Sequence, residues 1–424
     1  MGKTISEKIL AKNAGKKEVN PGEYIQATNT SRFVATGGLR ASEFKKIFGQ
    51  KPPSVYDPKK IAIVLADHPG VSGWQYGRQV YLKEGRDFAK LLGIPKSNIF
   101  DLGRGGIGHQ ISIDNAWGLP GTVYLSQCNG HAYTPGALGC FALPLSYGST
   151  AFLITGKTWL LVPETAKVEL TGELEEGVMS RDVSEWLINQ VSPTGNLFMA
   201  QEFTGPVIDD MSIDGRLVLT CLGVNTGAMT SIINPDKKTI DYVKERTTDP
   251  FEPIVSDDDA TYAKQYKLDV SDLEPQVVVP PERNTVKSIS EVKETKIDRG
   301  FIGSCASGRI EDLRIAAKIL KGRKIHPDVR LTITPGSVNI LKQALKEGLM
   351  DIFVDAEVTN TYPACGQCYG GYTPVDKDEV CVSSSTNNVP GRQGHMEAHV
   401  YLASPATVAA SSVSGKLADP RDYL

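Results

Sequence analysis

The chain has 424 residues, 40% of them hydrophobic and 22% charged, and a formal net charge of −3. That length predicts two or three domains, and the composition excludes a disordered or fibrous protein. The small net charge provides no broad basic field, so we expect no nucleic-acid partner. No apolar run approaches the roughly 18 residues of a membrane-spanning helix, so we expect no membrane association.

The first 23 residues predict a short amphipathic helix around Ile5, Ile9 and Leu10, followed by a turn. The segment lacks the long apolar centre of a secretory signal, which indicates a cytoplasmic protein. Seven cysteines, an odd number spread unevenly along the chain, indicate reduced thiols, some of them ligands, rather than a disulfide framework.

Between Lys60 and about Leu222, short apolar runs that end at glycine or proline alternate with helical stretches, the clearest of which are 80–92 and 180–190. This alternation predicts an α/β architecture with at least partly parallel sheets. In such folds catalytic residues gather where strands end and loops begin.

Residues 246–298 differ in character, with a run of aspartates at 257–259, the Pro280-Pro281 pair and few periodic segments. We interpret them as a connection between domains. From Phe301, a helix at 311–320, a strand at 329–334 and a helix at 337–347 predict a separate α/β domain. The predicted regions are therefore 1–245, 246–298 and 299–424.

The sharpest local motif is Cys365-Gly-Gln-Cys368, followed by Tyr-Gly-Gly371. Two thiols three positions apart can face one metal centre, and the glycines allow the backbone to approach it closely. By itself the motif is also compatible with two incidental buried thiols, a zinc site or a redox pair.

A second cysteine motif is Gly303-Ser-Cys-Ala-Ser-Gly-Arg309, which precedes a predicted helix. A helix N-terminus stabilises a thiolate, so Cys305 is a candidate third ligand. The alternative is a tight turn capped by Ser304 or Ser307. Three thiols are one short of a closed tetrahedral site, and Cys381 would complete a four-cysteine zinc site.

These motifs, with several others in the same order, resemble the large subunits of the aconitase and isopropylmalate dehydratase family. The resemblance covers essentially the whole chain. It implies an aconitase-like, multi-domain, three-layer α/β/α fold, in which residues 1–245 form two intertwined α/β subdomains and the swivelling domain is missing. The matching segments are 7–19, 103–110, 202–205, 303–312, 365–368, 391–394 and 404–411.

The family's chemistry would explain the number of thiols. By resemblance, Cys305, Cys365 and Cys368 hold a [4Fe–4S] cluster whose fourth iron stays open and acts as a Lewis acid on the substrate hydroxyl. Three thiolates also suit [3Fe–4S] and [2Fe–2S] clusters, so the cluster type stays open. Cys381 would then be a packed neighbour.

The resemblance also implies histidines, paired with carboxylates, that move protons. The matching positions, which we predict to be catalytic, are Asp67, His68, His109, His131 and Glu202. A single histidine is more often a hydrogen-bonded core or turn residue. Three of the six histidines fall in such loops of one α/β region, and this favours catalysis.

The predicted substrate-binding residues are Asn129, Asn387 and Arg392, and the chain departs from the family pattern at the first two. Asn129 stands where the family has an aspartate, and Asn387 where it has an arginine that clamps a substrate carboxylate; Arg392 remains. The charged pair usual near the N-terminus is also missing from 33–39. An amide replaces a bidentate arginine poorly, so we expect a substrate less anionic than citrate or isopropylmalate.

The predicted function is therefore an iron–sulfur hydro-lyase acting on a small hydroxy acid, with a separate small subunit that supplies the swivelling domain and the catalytic serine. Four alternatives stay open: an ordinary 3-isopropylmalate dehydratase large subunit, a paralogue with little activity, an iron- or redox-sensing binding protein of the same fold, and a zinc protein.

Overall fold

The computed structural model describes residues 2–29, 31–36, 44–49, 53–67, 76–127 and 130–424, without the side chains of 76–81, 130 and 147. The chain divides into two compact units. The first unit comprises Met1–Thr171 and Thr194–Leu268, and the second comprises Gly172–Pro193 and Asp269–Leu424. The chain thus enters the second unit twice. The boundaries predicted at residues 245 and 299 stay a prediction.

The strands of the described residues are short, and we number them in chain order. They are β1 (Tyr24–Thr28), β2 (Phe33–Thr36), β3 (Ile61–Val64), β4 (Ile99–Phe100), β5 (Val123–Ser126), β6 (Phe141–Pro144), β7 (Lys157–Leu161), β8 (Thr165–Thr171), β9 (Ala200–Thr204), β10 (Thr230–Ile233), β11 (Lys264–Asp269), β12 (Gln276–Val278), β13 (Val286–Ser288), β14 (Arg299–Ile302), β15 (Arg330–Ile333), β16 (Thr359–Asn360), β17 (Val380–Ser383) and β18 (His399–Ala403).

The helices are referred to by their residues. The α-helices are Ile5–Asn13, Tyr76–Leu91, Gly108–Asp114, Ser149–Thr155, Ser180–Val191, Pro206–Asp210, Ile213–Leu222, Lys237–Lys244, Ser304–Ser307, Ile310–Leu320, Val338–Lys346, Leu349–Asp355 and Pro405–Ser414. Residues 44–48 are also helical. The 3₁₀ helices are Pro58–Lys60, Lys96–Asn98, Gly130–Leu138, Ser146–Gly148, Gly223–Thr226, Ile289–Glu291, Gly366–Tyr369 and Pro420–Tyr423.

The first unit contains two sheets and a ribbon. One sheet has the order β4-β3-β2-β5-β6 with parallel pairing throughout. The other has the order β10-β9-β8-β11, in which β10, β9 and β8 are parallel. Every residue of β3, β5 and β10 is buried, as expected of strands in parallel sheets covered on both faces.

The second unit is built on one mixed sheet of order β13-β12-β18-β17-β14-β15-β16. The strands from β18 to β16 pair in parallel, and β12 joins β18 and β13 antiparallel. Helices Ile310–Leu320 and Pro405–Ser414 bury their apolar faces in its core. Because β14 and β17 are parallel neighbours, the loops that follow them lie at the same edge of the sheet.

The sequence predicted the main elements because their caps and apolar spacing are local features. The N-terminal helix Ile5–Asn13 begins in a capping box formed by Thr4 and Glu7. The predicted helices at 80–92, 180–190, 311–320 and 337–347 are confirmed within a few residues, as is the strand at 329–334. The α/β class is confirmed. Within the described residues, no helix combines the length and apolarity needed to cross a membrane.

Candidate metal centre and active site

Cys305 lies in the turn that follows β14, in the short helix Ser304–Ser307. Ser304 adopts a φ of 77°, a conformation that costs a residue with a side chain about 1–3 kcal/mol and persists only where its surroundings hold it. The Ser304 hydroxyl donates to the Ser384 carbonyl at 3.0 Å. The Gly303 amide donates to the Ser384 hydroxyl at 3.0 Å. These two bonds fix the turn that carries Cys305 (residues 303–308, the cysteine turn) to the loop after β17.

Cys365 and Cys368 lie on one tight turn. The Cys368 amide donates to the Cys365 carbonyl at 3.2 Å. Gly366 between them has a φ of 60°, and a Cβ there would come within 2.7 Å of the Thr334 side chain. Only glycine adopts this φ and fits this close to Thr334 without strain. Cys368 is buried and Cys365 is half-buried.

The three predicted ligands all lie near one guanidinium, that of Arg392. Its Nη2 is 3.9 Å from the Cys368 Sγ. Burial alone would lower the pKa of Arg392, but the three thiols outweigh that effect and raise the pKa. Arg392 is thus a cation near three cysteines, the residue type whose thiolates bind metal.

The donor set suits a polynuclear cluster. Within the ranges described above, no three His, Cys, Asp or Glu side chains are grouped tightly enough to hold a single metal ion. Iron–sulfur clusters are held by cysteine thiolates, so the chemistry of these three side chains fits such a cluster.

Cys381 is a residue of β17, and its side chain is buried in the core. Burial raises the pKa of its thiol to about 12, so it is protonated at neutral pH. Gln367 Nε2 donates to its sulfur at 3.3 Å, and apolar side chains such as Val278 and Leu402 surround it. A neutral thiol in apolar surroundings is typical of a structural cysteine.

The first unit brings three of the predicted proton-transfer residues together. Asp67 follows β3, and its Oδ1 accepts from the Gly108 amide at 2.9 Å, at the start of the helix that carries His109. The rings of His109 and His131 lie edge to face, with centroids 6.4 Å apart. His68 and Asn129 lie outside the described residues.

Glu202 on β9 is wholly buried and accepts several hydrogen bonds. The Ser256 hydroxyl donates to both carboxylate oxygens, at 2.8 and 3.0 Å. Asn234 Nδ2 and the Tyr262 hydroxyl donate at 2.7 and 3.1 Å. Burial raises the pKa of Glu202, and these bonds only partly oppose the effect. The catalytic role of Glu202 stays a prediction. Its hydrogen bonds to Asn234, Ser256 and Tyr262 also give it a structural role.

Asn387 uses its side chain to shape its own loop. Its Oδ1 accepts from the Val389 amide at 2.7 Å, and its carbonyl accepts from Gln393 Nε2 at 3.0 Å. The preceding Thr386 places its hydroxyl 3.6 Å from the Cys368 Sγ. In this loop Arg392 is the cation beside the thiols, and Asn387 brings no charge.

The contacts also identify one residue, Arg181, that the motifs did not predict. Arg181, in the helix Ser180–Val191, donates to Ser307 in the cysteine turn and to the loop that carries Thr386. These partners are 126 and 203 residues away along the chain. A lone arginine at the start of an amphipathic helix has no local signal that distinguishes it from a surface residue.

Comparison with known proteins matches the chain to the family model described as "Aconitase family (aconitate hydratase)", over residues 86–294 and 283–415. The chain is 40% identical to the 3-isopropylmalate dehydratase large subunit of Heliobacterium modesticaldum, covering 100% of both chains. It is 39% identical to large subunit 1 of the same enzyme from Methanopyrus kandleri, again over 100% of both.

A further relative is the 3-isopropylmalate dehydratase large subunit of Aquifex aeolicus, 40% identical over 100% of this chain and 98% of that one. Among solved structures, the holo-form of Thermococcus kodakaraensis aconitase X matches with a TM-score of 0.48 and 12% identity. That match covers 89% of this chain and 86% of the other.

Proposed function

The chain belongs to the aconitase family of hydro-lyases, and from this premise we propose that it is the large, cluster-bearing subunit of a dehydratase or isomerase for a small hydroxy acid. The observation that carries the proposal is the position of Arg392 among Cys305, Cys365 and Cys368. These cysteines would hold a [4Fe–4S] cluster with one open iron. When bound, the cluster supplies a Lewis acid that helps hydroxide leave.

The residues of the first unit would transfer protons at the leaving hydroxyl. Asp67 accepts from the amide at the start of the helix Gly108–Asp114, which orients His109. The His109 and His131 rings are close enough to act on one small group. His68, next to Asp67 in the sequence, is proposed with them, as is Glu202.

We also propose a small-subunit partner that supplies the swivelling domain and the serine that abstracts the substrate proton. The relatives named above are themselves large subunits. A cluster with an exposed iron needs a reducing environment, and we propose the cytoplasm for this chain.

The proposed substrate is less anionic than isopropylmalate. An arginine clamp on a carboxylate contributes about 1.5–3 kcal/mol per charge-assisted bond, and Asn387 cannot supply such a bond, because its amide carries no charge. Loss of one such bond corresponds to roughly one to two orders of magnitude in affinity. Asn129 is proposed with Asn387 and Arg392 as a substrate-binding residue, and its amide brings no charge.

Isopropylmalate itself is the second candidate, and the relatives' names favour it. An assay panel separates the two: isopropylmalate, citrate and homocitrate beside hydroxy acids with one carboxylate fewer, each with a small subunit present. Faster turnover of the less anionic acids is expected. Efficient turnover of isopropylmalate would establish the second candidate instead.

A further inference from the structure

We propose that Arg181 is a positioning residue for the cluster ligands, holding the cysteine turn and the neighbouring serine loop in one arrangement. The cysteine turn is residues 303–308, and the serine loop is residues 383–388. The inference rests on the proposed function, because it assigns Arg181 to the cluster that the cysteines would hold.

Arg181 is buried, with 1% of its surface exposed, and its guanidinium bonds to both segments. Nη1 donates to the Ser307 hydroxyl at 3.2 Å and to the Ser384 carbonyl at 2.7 Å. Nη2 donates to the Ser385 carbonyl at 2.5 Å. One side chain thus joins a residue of the cysteine turn to two successive carbonyls of the serine loop.

The cysteine turn contains one predicted ligand, and the serine loop contacts another. Ser307 is two residues beyond Cys305 in the same short helix. Ser385 precedes Thr386, whose hydroxyl is 3.6 Å from the Cys368 Sγ. Movement of the guanidinium would therefore affect Cys305 and the surroundings of Cys368 together.

The charge of Arg181 is balanced inside the protein. Glu185, one helical turn further on, lies 3.1 Å from Nη2 and is itself wholly buried. Arg283 lies 2.7 Å from the other oxygen of Glu185. Removal of Glu185 would leave the buried guanidinium of Arg181 and that of Arg283 without the carboxylate they share.

Lysine could not replace the guanidinium here. Arginine presents five N–H donors in a rigid plane, which can serve a hydroxyl, two carbonyls and a carboxylate at once. An ammonium group keeps the charge but has three donors on a flexible stem. The cysteine turn and the serine loop are held together by the planar set of donors of the guanidinium as well as by its charge.

The chain offers a closely matched control in the first unit. Arg216 is equally buried, at 1% exposed. It donates to the carbonyls of Ile208 and Asp209, to the Thr239 hydroxyl and to the Asp236 carboxylate. Its set of partners is the same in kind as that of Arg181, but none of them belongs to the cysteine turn or the serine loop.

The test compares the wild-type chain with Arg181→Met, Arg181→Lys and Arg216→Met, all purified anaerobically. The measurement is the rate at which visible cluster absorption is lost to an iron chelator, together with the thermal midpoint. Residues that orient metal ligands typically change metal retention by about 10- to 100-fold. We expect Arg181→Met to lose its cluster about tenfold faster than the wild type, Arg181→Lys to be intermediate, and Arg216→Met to keep the wild-type rate.

Ser307→Ala provides a milder variant in case Arg181→Met does not fold. It removes a single bond to Arg181, and a smaller acceleration of cluster loss at an unchanged thermal midpoint is expected. Equal acceleration in Arg181→Met and Arg216→Met, or no acceleration in Ser307→Ala and Arg181→Lys, would overturn the inference. A wild-type chain that never holds a cluster would instead overturn the proposed function on which the inference depends.

Discussion

At the scale of single residues, the account depends on which cysteines are ligands. Cys305, Cys365 and Cys368 lie near the half-buried guanidinium of Arg392, whereas Cys381 is a neutral thiol within the sheet. Thiolates bind metal and buried neutral thiols are inert. The residues that the sequence distinguishes by motif are thus also distinguished by their surroundings.

Serine substitutions at the four cysteines test this assignment. Cys305→Ser, Cys365→Ser and Cys368→Ser should each lose cluster absorption and activity, because each removes one thiolate. Cys381→Ser should keep both, with a loss of stability only. Visible spectra of the four anaerobically purified variants measure the outcome, and bleaching in Cys381→Ser would contradict the assignment.

A charge restored at position 387 tests the substrate proposal. Asn387→Arg should strengthen binding of isopropylmalate, by about tenfold for one regained charge-assisted bond, and weaken that of less anionic acids. Asn387→Gln is the control, because it lengthens the side chain without charge. The KM values of the wild type and of both variants are measured with isopropylmalate and with the less anionic acids. An equal change of KM in Asn387→Arg and Asn387→Gln would refute the proposal.

At the scale of elements, the helix Ser180–Val191 carries an unusual cap. Asp182 is wholly buried and accepts from the amides of Gln276 and Met179, at 2.9 and 2.8 Å. Burial raises its pKa to about 7, despite these bonds. The cap joins the helix that carries Arg181 to β12.

This cap predicts a pH dependence of stability. The folded pKa of Asp182 lies above its ordinary value of 3.8, so between about pH 4 and pH 7 the folded chain binds more protons than the unfolded chain. The contribution of Asp182 to the free energy of unfolding is therefore largest below that window and falls as the pH rises through it.

Urea unfolding of the wild-type chain and of Asp182→Asn from pH 4 to pH 7 measures the effect. Asp182→Asn should be less stable than the wild type at low pH, because one of the two amides that donate to Asp182 loses its acceptor. The fall in the free energy of unfolding between pH 4 and pH 7 that comes from Asp182 should be absent from this variant. The same slope in both chains would show that Asp182 does not titrate in this range.

The elements also show what the sequence could and could not predict. Capping boxes and apolar spacing are local, so the helices Ile5–Asn13 and Ile310–Leu320 were predictable. The cysteine motifs are local too, and they identified the three candidate ligands. The partners of Arg181 and Glu202 depend on contacts between distant segments, which periodicity does not reveal. Residues 246–298 supply β11, β12 and β13, whose sheet partners were equally unpredictable.

At the scale of the whole molecule, the family membership confirms the resemblance that the motifs indicated and the enzyme class that it implied. His109 and His131 belong to the first unit, and Cys305, Cys365 and Cys368 belong to the second. The proposed serine would come from a small subunit.

The isolated chain should therefore have little dehydratase activity. Loss of a general acid or base typically costs about 100- to 10,000-fold in rate, so adding a small subunit should raise turnover at least about 100-fold. Addition of a small subunit whose predicted serine is replaced by alanine is the control and should restore binding without turnover. Full activity of the isolated chain would contradict the need for a partner.

The most direct test of the central claim is the metal and sulfide content of the wild-type chain purified without oxygen. The account predicts iron and acid-labile sulfide in equal amounts, close to one [4Fe–4S] cluster per chain, with brown absorption that disappears in Cys305→Ser. A colourless protein that contains stoichiometric zinc and no sulfide, with Cys381→Ser unable to bind that zinc, would contradict it.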